Sequence, residues 1–236
     1  MKFPATLFAA AVLAPAVFAA GPAPVTHEYL AAGAIDFRQV LTPPPAEDSI
    51  PGQADHEIAI QLDAHRTPAQ AVLAKHYEAL NVFVILADVL GDQCTAANLP
   101  RTAAVFQQVF LESRPIVDAA KAAWNRRRPY IFNPALHPAV ERPDNTSYPS
   151  GHAFSSSLIA ALLATALPEH AADWTQEADL VRWSRLIGGA HYPNDVMAGK
   201  ILGEAVAREM LKSPQLQKAL GDVRTELLPL LKKKAA

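Results

Sequence analysis

Apolar residues recur at three- and four-residue spacing through most of the chain after position 56, and this pattern constrains the fold more than any other. Such spacing lays one apolar stripe along an α-helix, and no convincing run of alternating apolar residues indicates a strand. The sequence therefore predicts an all-α fold, a single-domain helical bundle. The strongest helical segments are residues 69–90, 102–124, 152–167, 172–187 and 195–211, and a weaker one covers 214–231 with an interruption at Gly221.

The chain divides into a helical body and a proline-rich arm. It has 236 residues, half of them apolar by type, which is enough for one well-buried core without a second domain. Residues 56–236 carry the helical pattern, whereas residues 21–55 are rich in proline and polar residues around Pro44. We predict that this arm is irregular and extends over the surface of a single domain spanning residues 21–236.

Residues 1–20 have the pattern of a secretory signal peptide. Lys2 gives a positive start, residues 7–13 form a short apolar run, and small residues offer a cleavage site near Ala19 and Ala20. A membrane anchor is the alternative, but the run is too short to span a bilayer and Pro15 breaks it. No later stretch reaches the roughly 18 apolar residues of a spanning helix, so we expect a periplasmic or secreted protein without stable membrane insertion.

Charge and cysteine content argue against two further classes of protein. The net charge is −2, whereas a nucleic-acid-binding domain is typically basic, so nucleic acid is not an expected partner. Cys94 is the only cysteine, which excludes a scaffold of intrachain disulfides. The sequence leaves the oligomeric state open, a homo-oligomer included.

Three short segments carry groups suited to binding phosphate and transferring a phosphoryl group. An oxyanion is stabilised by cations and backbone N–H groups, and covalent transfer adds a nucleophile and an acid. One such segment alone is weak evidence, whereas all three in this order and spacing are a strong indication. The segments are Lys121 with Arg128 and Pro129, then Pro149-Ser150-Gly151-His152, and finally Ser184-Arg185 followed by His191 and Asp195.

Helix-ending signals place the first two segments at helix termini. Pro129 disfavours helical geometry at the residue before it, so we predict that the helix carrying Lys121 ends at Arg128. Seven residues make nearly two turns, so both cations are expected on one helix face. Ser150 is a good N-cap, and the amides of the following first turn, beginning at Gly151, are then free to point at an anion.

The third segment is predicted to span a helix end and the next helix start. Two glycines from position 188 can end the helix that carries Arg185. Pro193 suits the first position of the following helix, with Asp195 in its first turn. His191 would then lie in the turn just before, close to Asp195.

The residue types define a phosphate cradle. Arg128 and Arg185 offer planar forks that fit phosphate oxygens bidentately, and Lys121 adds a point charge. The amides of Ser150 and Gly151 would complete the cradle, since glycine lets the backbone approach a ligand closely.

Two histidines and a carboxylate could carry the chemistry. His191 can act as nucleophile when neutral, and a carboxylate at Asp195 bonded to its other ring N–H would fix that tautomer. His152 can donate a proton to the leaving oxygen. A single histidine or arginine is more often structural than catalytic, so we assign no role to His76, His137, His170, Arg126 and Arg127.

These motifs resemble the signature of the phosphatidic acid phosphatase type 2 and vanadium haloperoxidase superfamily. The likeness is greatest to the class A bacterial nonspecific acid phosphatases. It rests on the three segments, on residues 147–152, and on the proline-rich residues 41–45 with Asp48 and Ser49. Ala153 is a departure, because many members of the class have threonine after the histidine.

The resemblance implies an acid phosphatase that hydrolyses small phosphate monoesters with broad specificity and without a metal or other cofactor. It implies a phosphohistidine on His191, released by water, with His152 as general acid and then base. Ser184 belongs to the motif without an assigned role. The resemblance assigns phosphate binding to Lys121, Arg128, Ser150, Gly151 and Arg185. The histidine chemistry also predicts an acid to neutral pH optimum.

Three other functions could use the same residues. A vanadate-dependent haloperoxidase would hold vanadate where a phosphatase holds phosphate, although such enzymes are generally much longer. A lipid phosphate phosphatase of the same superfamily would normally have transmembrane helices. A phosphate-binding protein without turnover would need only the cations and amides, and would leave both histidines and Asp195 unexplained.

Overall fold

A computed structural model describes residues 26–234 and the side chains of residues 26–231. The regular structure of this part is helical, without strands, which confirms the predicted all-α class. The predicted signal peptide lies outside the described residues. The helices are α1 (Phe37–Val40), α2 (Ile50–His65), α3 (Pro68–His76), α4 (Val82–Leu90), α5 (Pro100–Trp124), α6 (Pro129–Phe132), α7 (Gly151–Ala166), α8 (Ala171–Ile187), α9 (Pro193–Met210) and α10 (Pro214–Lys234), with a 3₁₀ turn at Pro168–His170.

Helix α7 lies at the centre of the bundle and packs against α8 and α9. Leu158, Ile159, Leu162 and Leu163 are fully buried, so the helix is covered on most sides. Together with apolar residues from most other helices, these side chains form the main core. Among the described residues, no helix has the length and apolar character needed to cross a membrane.

Two glycines let α9 approach the start of α7 very closely. A Cβ atom at Gly199 would lie 2.4 Å from the carbonyl oxygen of Ser150, and one at Gly203 would lie 2.4 Å from that of Phe154. These distances are far below van der Waals contact, so only glycine fits at either position. The amide of Ser150 donates to the carbonyl oxygen of Asp195 over 2.9 Å. The second and third sequence segments are thereby joined.

The proline-rich arm contains more helix than the sequence predicted. Helix α1 lies within it, and α2 begins at Ile50 because the Ser49 side chain caps it, accepting from the amide of Gly52 over 3.2 Å. The start of the arm is fixed to α5, since three successive amides at positions 28–30 donate to the Glu112 carboxylate over 2.6–3.1 Å.

Two helix boundaries inside the body also differ from prediction. The pattern over 69–90 belongs to two helices, because Asn81 ends the turn after α3 and caps α4 by accepting from the amide of Phe83. Helix α10 continues through Gly221, whose predicted interruption is wrong. Glycine weakens a helix interior by about 1 kcal/mol without breaking it.

The prediction that the Lys121 helix extends to Arg128 is also wrong. Helix α5 ends at Trp124, where Asn125 adopts the left-handed conformation with φ 44° and ψ 40°. Pro129 does keep Arg128 extended, with φ −75° and ψ 158°. Lys121 and Arg128 therefore do not share a helix face, and it is the turn at Asn125 that brings both to the same pocket.

Candidate active site

Six of the eight predicted site residues line one pocket of about 260 Å³. It lies where the C-terminal ends of α3, α5 and α8 meet the N-terminal end of α7 and the turn before α9. Ser150 and Asp195 are fully buried and lie outside its lining. The six that line it are Lys121, Arg128, Gly151, His152, Arg185 and His191.

Three of the cations that line the pocket are buried and held by main-chain oxygens. Lys121 Nζ donates to Thr146 O over 2.6 Å, Arg128 Nη1 to Ala190 O over 2.8 Å, and Arg185 Nη2 to Ala74 O over 2.6 Å. None of the three forms an ion pair with any carboxylate of the described residues. Buried charges are normally paired, so this cluster is suited to an anionic ligand.

Burial and mutual repulsion perturb the ionisation of these cations. Burial lowers the pKa of Lys121 to about 7, and the positive charge of Arg128 adds to the effect. Burial also lowers the pKa of Arg185 to about 10. A bound phosphate dianion would reverse both shifts, because a nearby opposite charge favours the protonated form.

Ser184, which had no assigned role, supports one of these cations. Its hydroxyl accepts from Arg185 Nε over 3.0 Å and donates to the carbonyl oxygen of Val181 over 2.6 Å. The hydroxyl thus fixes the plane of the guanidinium while the remaining nitrogens reach the pocket and Ala74.

His191 is buried in the turn before α9, as predicted, with its two ring nitrogens in different surroundings. Its Nε2 lies 3.1 Å from Arg128 Nη1, toward the cations. Its Nδ1 lies 3.4 Å from Ser147 Oγ and 3.6 Å from Asp195 Oδ2. Burial, reinforced by Arg128 and Lys121, holds the pKa of His191 well below its usual range. The ring is therefore neutral, as a nucleophile requires.

The predicted direct hydrogen bond between His191 and Asp195 is absent from this arrangement. A separation of 3.6 Å is too long for one. The Ser147 hydroxyl instead lies between them and donates to Asp195 Oδ2 over 2.5 Å. It can accept from the His191 Nδ1–H at the same time, so the carboxylate acts on the imidazole through this serine.

Asp195 is held in place by a buried chain of ion pairs that was not predicted from the sequence. Arg126 Nη1 donates to Asp195 Oδ1 over 2.7 Å, and Arg126 Nη2 donates to Asp55 Oδ2 over 2.7 Å. All three side chains are buried, and the Arg126 guanidinium lies over the ring of Tyr192. Arg126, for which no role was predicted, therefore supports the site through Asp195.

One signal in the sequence could have identified Arg126. It precedes Arg128 by two residues, and alternate residues of an extended chain would point the same way. Nothing in the sequence indicated Asp55, because its partner lies 71 positions away. Ser147 lies in the stretch 147–152 that carries the family likeness, but nothing in the spacing of that stretch predicted a role for this residue.

His152 lies in the first turn of α7, and its Nε2 is 3.1 Å from the carbonyl oxygen of Glu78. Burial lowers the pKa of His152 to about 4, and the positive charge of Arg185 adds to the effect. The ring is therefore neutral at neutral pH. A phosphate dianion would favour its protonated form, by the same reasoning as for the cations.

The two amides at the start of α7 have different roles, since one forms a structural hydrogen bond and the other is free to bind a ligand. The Ser150 amide donates to Asp195 O, so the prediction that it binds phosphate is not supported by this geometry. The Ser150 hydroxyl is the predicted N-cap and accepts from the amide of Ala153 over 3.3 Å. The amide of Gly151 has no partner among the described residues and lies at the positive end of the helix dipole.

Comparison with known proteins gives the same superfamily as the motifs. The PAP2 superfamily matches residues 102–218. The non-specific acid phosphatase of Salmonella typhi is 32% identical over 198 residues, which cover 79% of this chain and 78% of that protein. The chain belongs to the class A acid phosphatases of the PAP2 superfamily. It is therefore a phosphatase, a hydrolase by class.

Two further comparisons concern the sequence and the fold. The acid phosphatase of Zymomonas mobilis is 29% identical over 178 residues, which cover 71% of this chain and 67% of that protein. A bacterial vanadium-dependent iodoperoxidase of known structure superposes with a TM-score of 0.58 at 16% identity, covering 73% of this chain and 52% of that one. The second likeness shows a shared fold and carries no argument about halide chemistry.

Proposed function

We propose that this phosphatase is an exported, metal-independent phosphomonoesterase that transfers the phosphoryl group first to His191 and then to water. The observation that carries the proposal is the buried cluster of three cations without carboxylate partners, next to a neutral histidine. Three cations and the free amide of Gly151 can neutralise a phosphoryl group without a metal ion. The expected substrates are small phosphate monoesters of broad structure, with no nucleic acid as an obligate partner.

In the first step the phosphoryl oxygens bind Lys121, Arg128, Arg185 and the Gly151 amide. His191 Nε2 attacks phosphorus, and the bond from phosphorus to the ester oxygen breaks with its electron pair on that oxygen. The Nδ1–H of the resulting cation is directed at Ser147 and, through it, at the charge of Asp195.

Proton transfer by His152 completes both steps. In the first, protonated His152 gives its proton to the departing alkoxide, which leaves as the alcohol. In the second, neutral His152 takes a proton from the attacking water while the bond between nitrogen and phosphorus breaks. Phosphate leaves, and His191 returns to its neutral form.

The ionisation of the pocket residues supports an acid to neutral pH optimum. His152, with a pKa of about 4, is unprotonated before the substrate binds. A phosphate monoester has a second pKa of about 6, so its monoanion can bring the required proton into the pocket. Lys121 loses its charge as pH rises through about 7. Both effects reduce kcat/KM on the alkaline side, and an optimum near pH ~9 would contradict this assignment.

The decisive experiment traps the phosphoenzyme. Labelled p-nitrophenyl phosphate is mixed with enzyme in excess chelator, and the reaction is quenched at alkaline pH because phosphohistidine is labile in acid. We expect label on the wild type and none on His191→Ala. Label that persists in His191→Ala would contradict the assignment of His191 as the nucleophile. Activity that requires a divalent ion would contradict metal independence.

Export and the rival oxidase activity need separate tests. Cell fractionation of the full chain with and without residues 1–20 tests export, and retention of both forms in the cytoplasm would refute it. Incubation with vanadate, peroxide and iodide tests haloperoxidase activity. We expect vanadate to act as an inhibitor of phosphate release, since its five-coordinate adduct on His191 resembles the transferring phosphoryl group.

A further inference from the structure

The pocket has two zones of opposite charge. Its inner end carries the cations Lys121, Arg128 and Arg185 beside both histidines. The outer zone, which we call the mouth, has an apolar wall and four charged side chains. The apolar residues of the mouth are Leu80, Val117, Val140 and Pro143, and the charged ones are Glu78, Arg114, Asp118 and Glu141.

One pair of charges at the mouth is balanced. Arg114 Nε lies 3.0 Å from Asp118 Oδ2 on the exposed face of α5. Because both groups are well exposed and face each other one helical turn apart, they present little net charge to a molecule entering the pocket.

Glu141 leaves the mouth with an excess of negative charge, because the other glutamate is paired. Glu78 accepts from the amide of Glu141 and lies 3.1 Å from Lys75 Nζ. The Glu141 carboxylate is exposed and has no ion-pair or hydrogen-bond partner among the described residues. Glu78 holds the loop that carries Glu141 through its backbone, so an unpaired carboxylate is fixed at the mouth.

The leaving group of a bound monoester must occupy this mouth. Its phosphoryl group sits among the inner cations, so the carbon chain extends outward along the apolar wall. We infer that the pocket selects monoesters whose leaving group has an uncharged or cationic end, and disfavours those with a second anionic group. This inference rests on the proposed function, because it assumes that the inner cations hold the phosphoryl group.

The expected effect is modest because the mouth is open to solvent. Two unit charges about 4 Å apart in water interact by roughly 1 kcal/mol, which corresponds to about fivefold in kcat/KM. Salt screens such interactions over about 10 Å at 0.1 M ionic strength. The discrimination should therefore weaken as salt is added.

Three short alkyl phosphates separate leaving-group charge from size. They are 2-aminoethyl phosphate, whose leaving group carries a cation, n-propyl phosphate, whose leaving group is uncharged, and phosphoglycolate, whose leaving group carries a carboxylate. The readout is the ratio of kcat/KM values within each variant, so differences in leaving-group basicity cancel between variants. We expect Glu141→Gln to raise the ratio of phosphoglycolate to propyl phosphate by about fivefold. Glu141→Lys should raise it further and lower the ratio for 2-aminoethyl phosphate.

A matched control carries the same charge change away from the pocket. Asp222 is an exposed residue of α10 that forms no ion pair within the described structure. Asp222→Asn and Asp222→Lys should leave all ratios within about twofold of the wild type, because their charges are distant and screened.

Turnover of p-nitrophenyl phosphate separates a failure of the proposed function from a failure of the charge selectivity at the mouth. If the wild type does not hydrolyse it, the proposed function fails. If the wild type does, and the Glu141 variants give the same ratios as the Asp222 variants, the inference about the mouth is overturned. A wild type that hydrolyses phosphoglycolate and 2-aminoethyl phosphate equally well at low salt, with no change in Glu141→Lys, also overturns it.

Discussion

Gly151→Ala should make the enzyme more stable and less active. Gly151 is the first residue of α7 and has no left-handed φ, so alanine can adopt its backbone conformation. An added Cβ would meet only the Lys121 Cε atom, at 4.0 Å, and would otherwise lie in the open pocket. The methyl group thus fits the protein without a clash and enters the pocket beside the Gly151 amide and Lys121, which are proposed to bind the phosphoryl oxygens.

The two effects differ in origin and in size. Replacing glycine by alanine at a compatible position stabilises a protein by about 0.4–1 kcal/mol, chiefly through the unfolded chain. For a protein of this size that raises Tm by roughly 1–4 °C. A displacement of the phosphoryl group by about 1 Å can cost about 10²-fold in rate. We therefore expect kcat/KM for p-nitrophenyl phosphate to fall by about one to two orders of magnitude.

Gly221→Ala is the matched control. Gly221 lies inside α10, and a Cβ there would meet no atom within 4 Å. This variant should gain about 1 kcal/mol and keep wild-type kinetics. Thermal unfolding and steady-state kinetics on both variants provide the test. Wild-type kcat/KM in Gly151→Ala would refute the placement of the phosphoryl group, and a fall in its Tm would refute the steric reasoning.

Three further predictions address charge, proton transfer and packing. Inhibition by sulfate, whose charge is constant near neutrality, should weaken as pH rises through about 7, because Lys121 loses its proton there. The Lys121→Met variant should bind sulfate less tightly and lack this pH dependence. His152→Ala should slow alkyl phosphate hydrolysis by about 10²–10⁴-fold but should slow p-nitrophenyl phosphate hydrolysis far less, since nitrophenolate leaves without a proton. Equal losses in kcat for the two substrates would count against His152 as the acid. Asp55→Asn should lower the free energy of unfolding in urea by about 1.5–3 kcal/mol, because Arg126 loses one of two buried charged partners; unchanged stability would contradict the importance of this chain of ion pairs.

Most helices and their termini could be predicted because the signals are local. The apolar spacing set α5, α7, α8 and α9 to within two residues, and the ends at Ser150, Gly188 and Pro193 follow from capping preferences and backbone restrictions of single residues. The turn at Asn125 was missed, because asparagine adopts the left-handed conformation only when its surroundings favour it.

The contacts that support the candidate site could not be predicted from local sequence signals in the same way. Ser147, Arg126 and Asp55 contact Asp195 or one another across 48 to 71 positions of sequence. Such contacts depend on how α2, α9 and the loop before α7 pack, which no local pattern encodes. Ionisable residues with these distant partners look the same in sequence as solvated surface residues.

The glycine contact between α9 and α7 has an evolutionary consequence. A side chain at Gly199 would collide with the main chain at Ser150, so the spacing between the two helices is locked. The residues on either side of that contact, Gly151 and Asp195, are therefore pre-organised before any ligand arrives. New substrate preferences should arise by changes in the loop at 133–144, which precedes the residues that hold Lys121, Arg128 and Asp195 and can vary without disturbing this junction. Directed evolution confined to that loop should change selectivity while phosphoenzyme formation is retained.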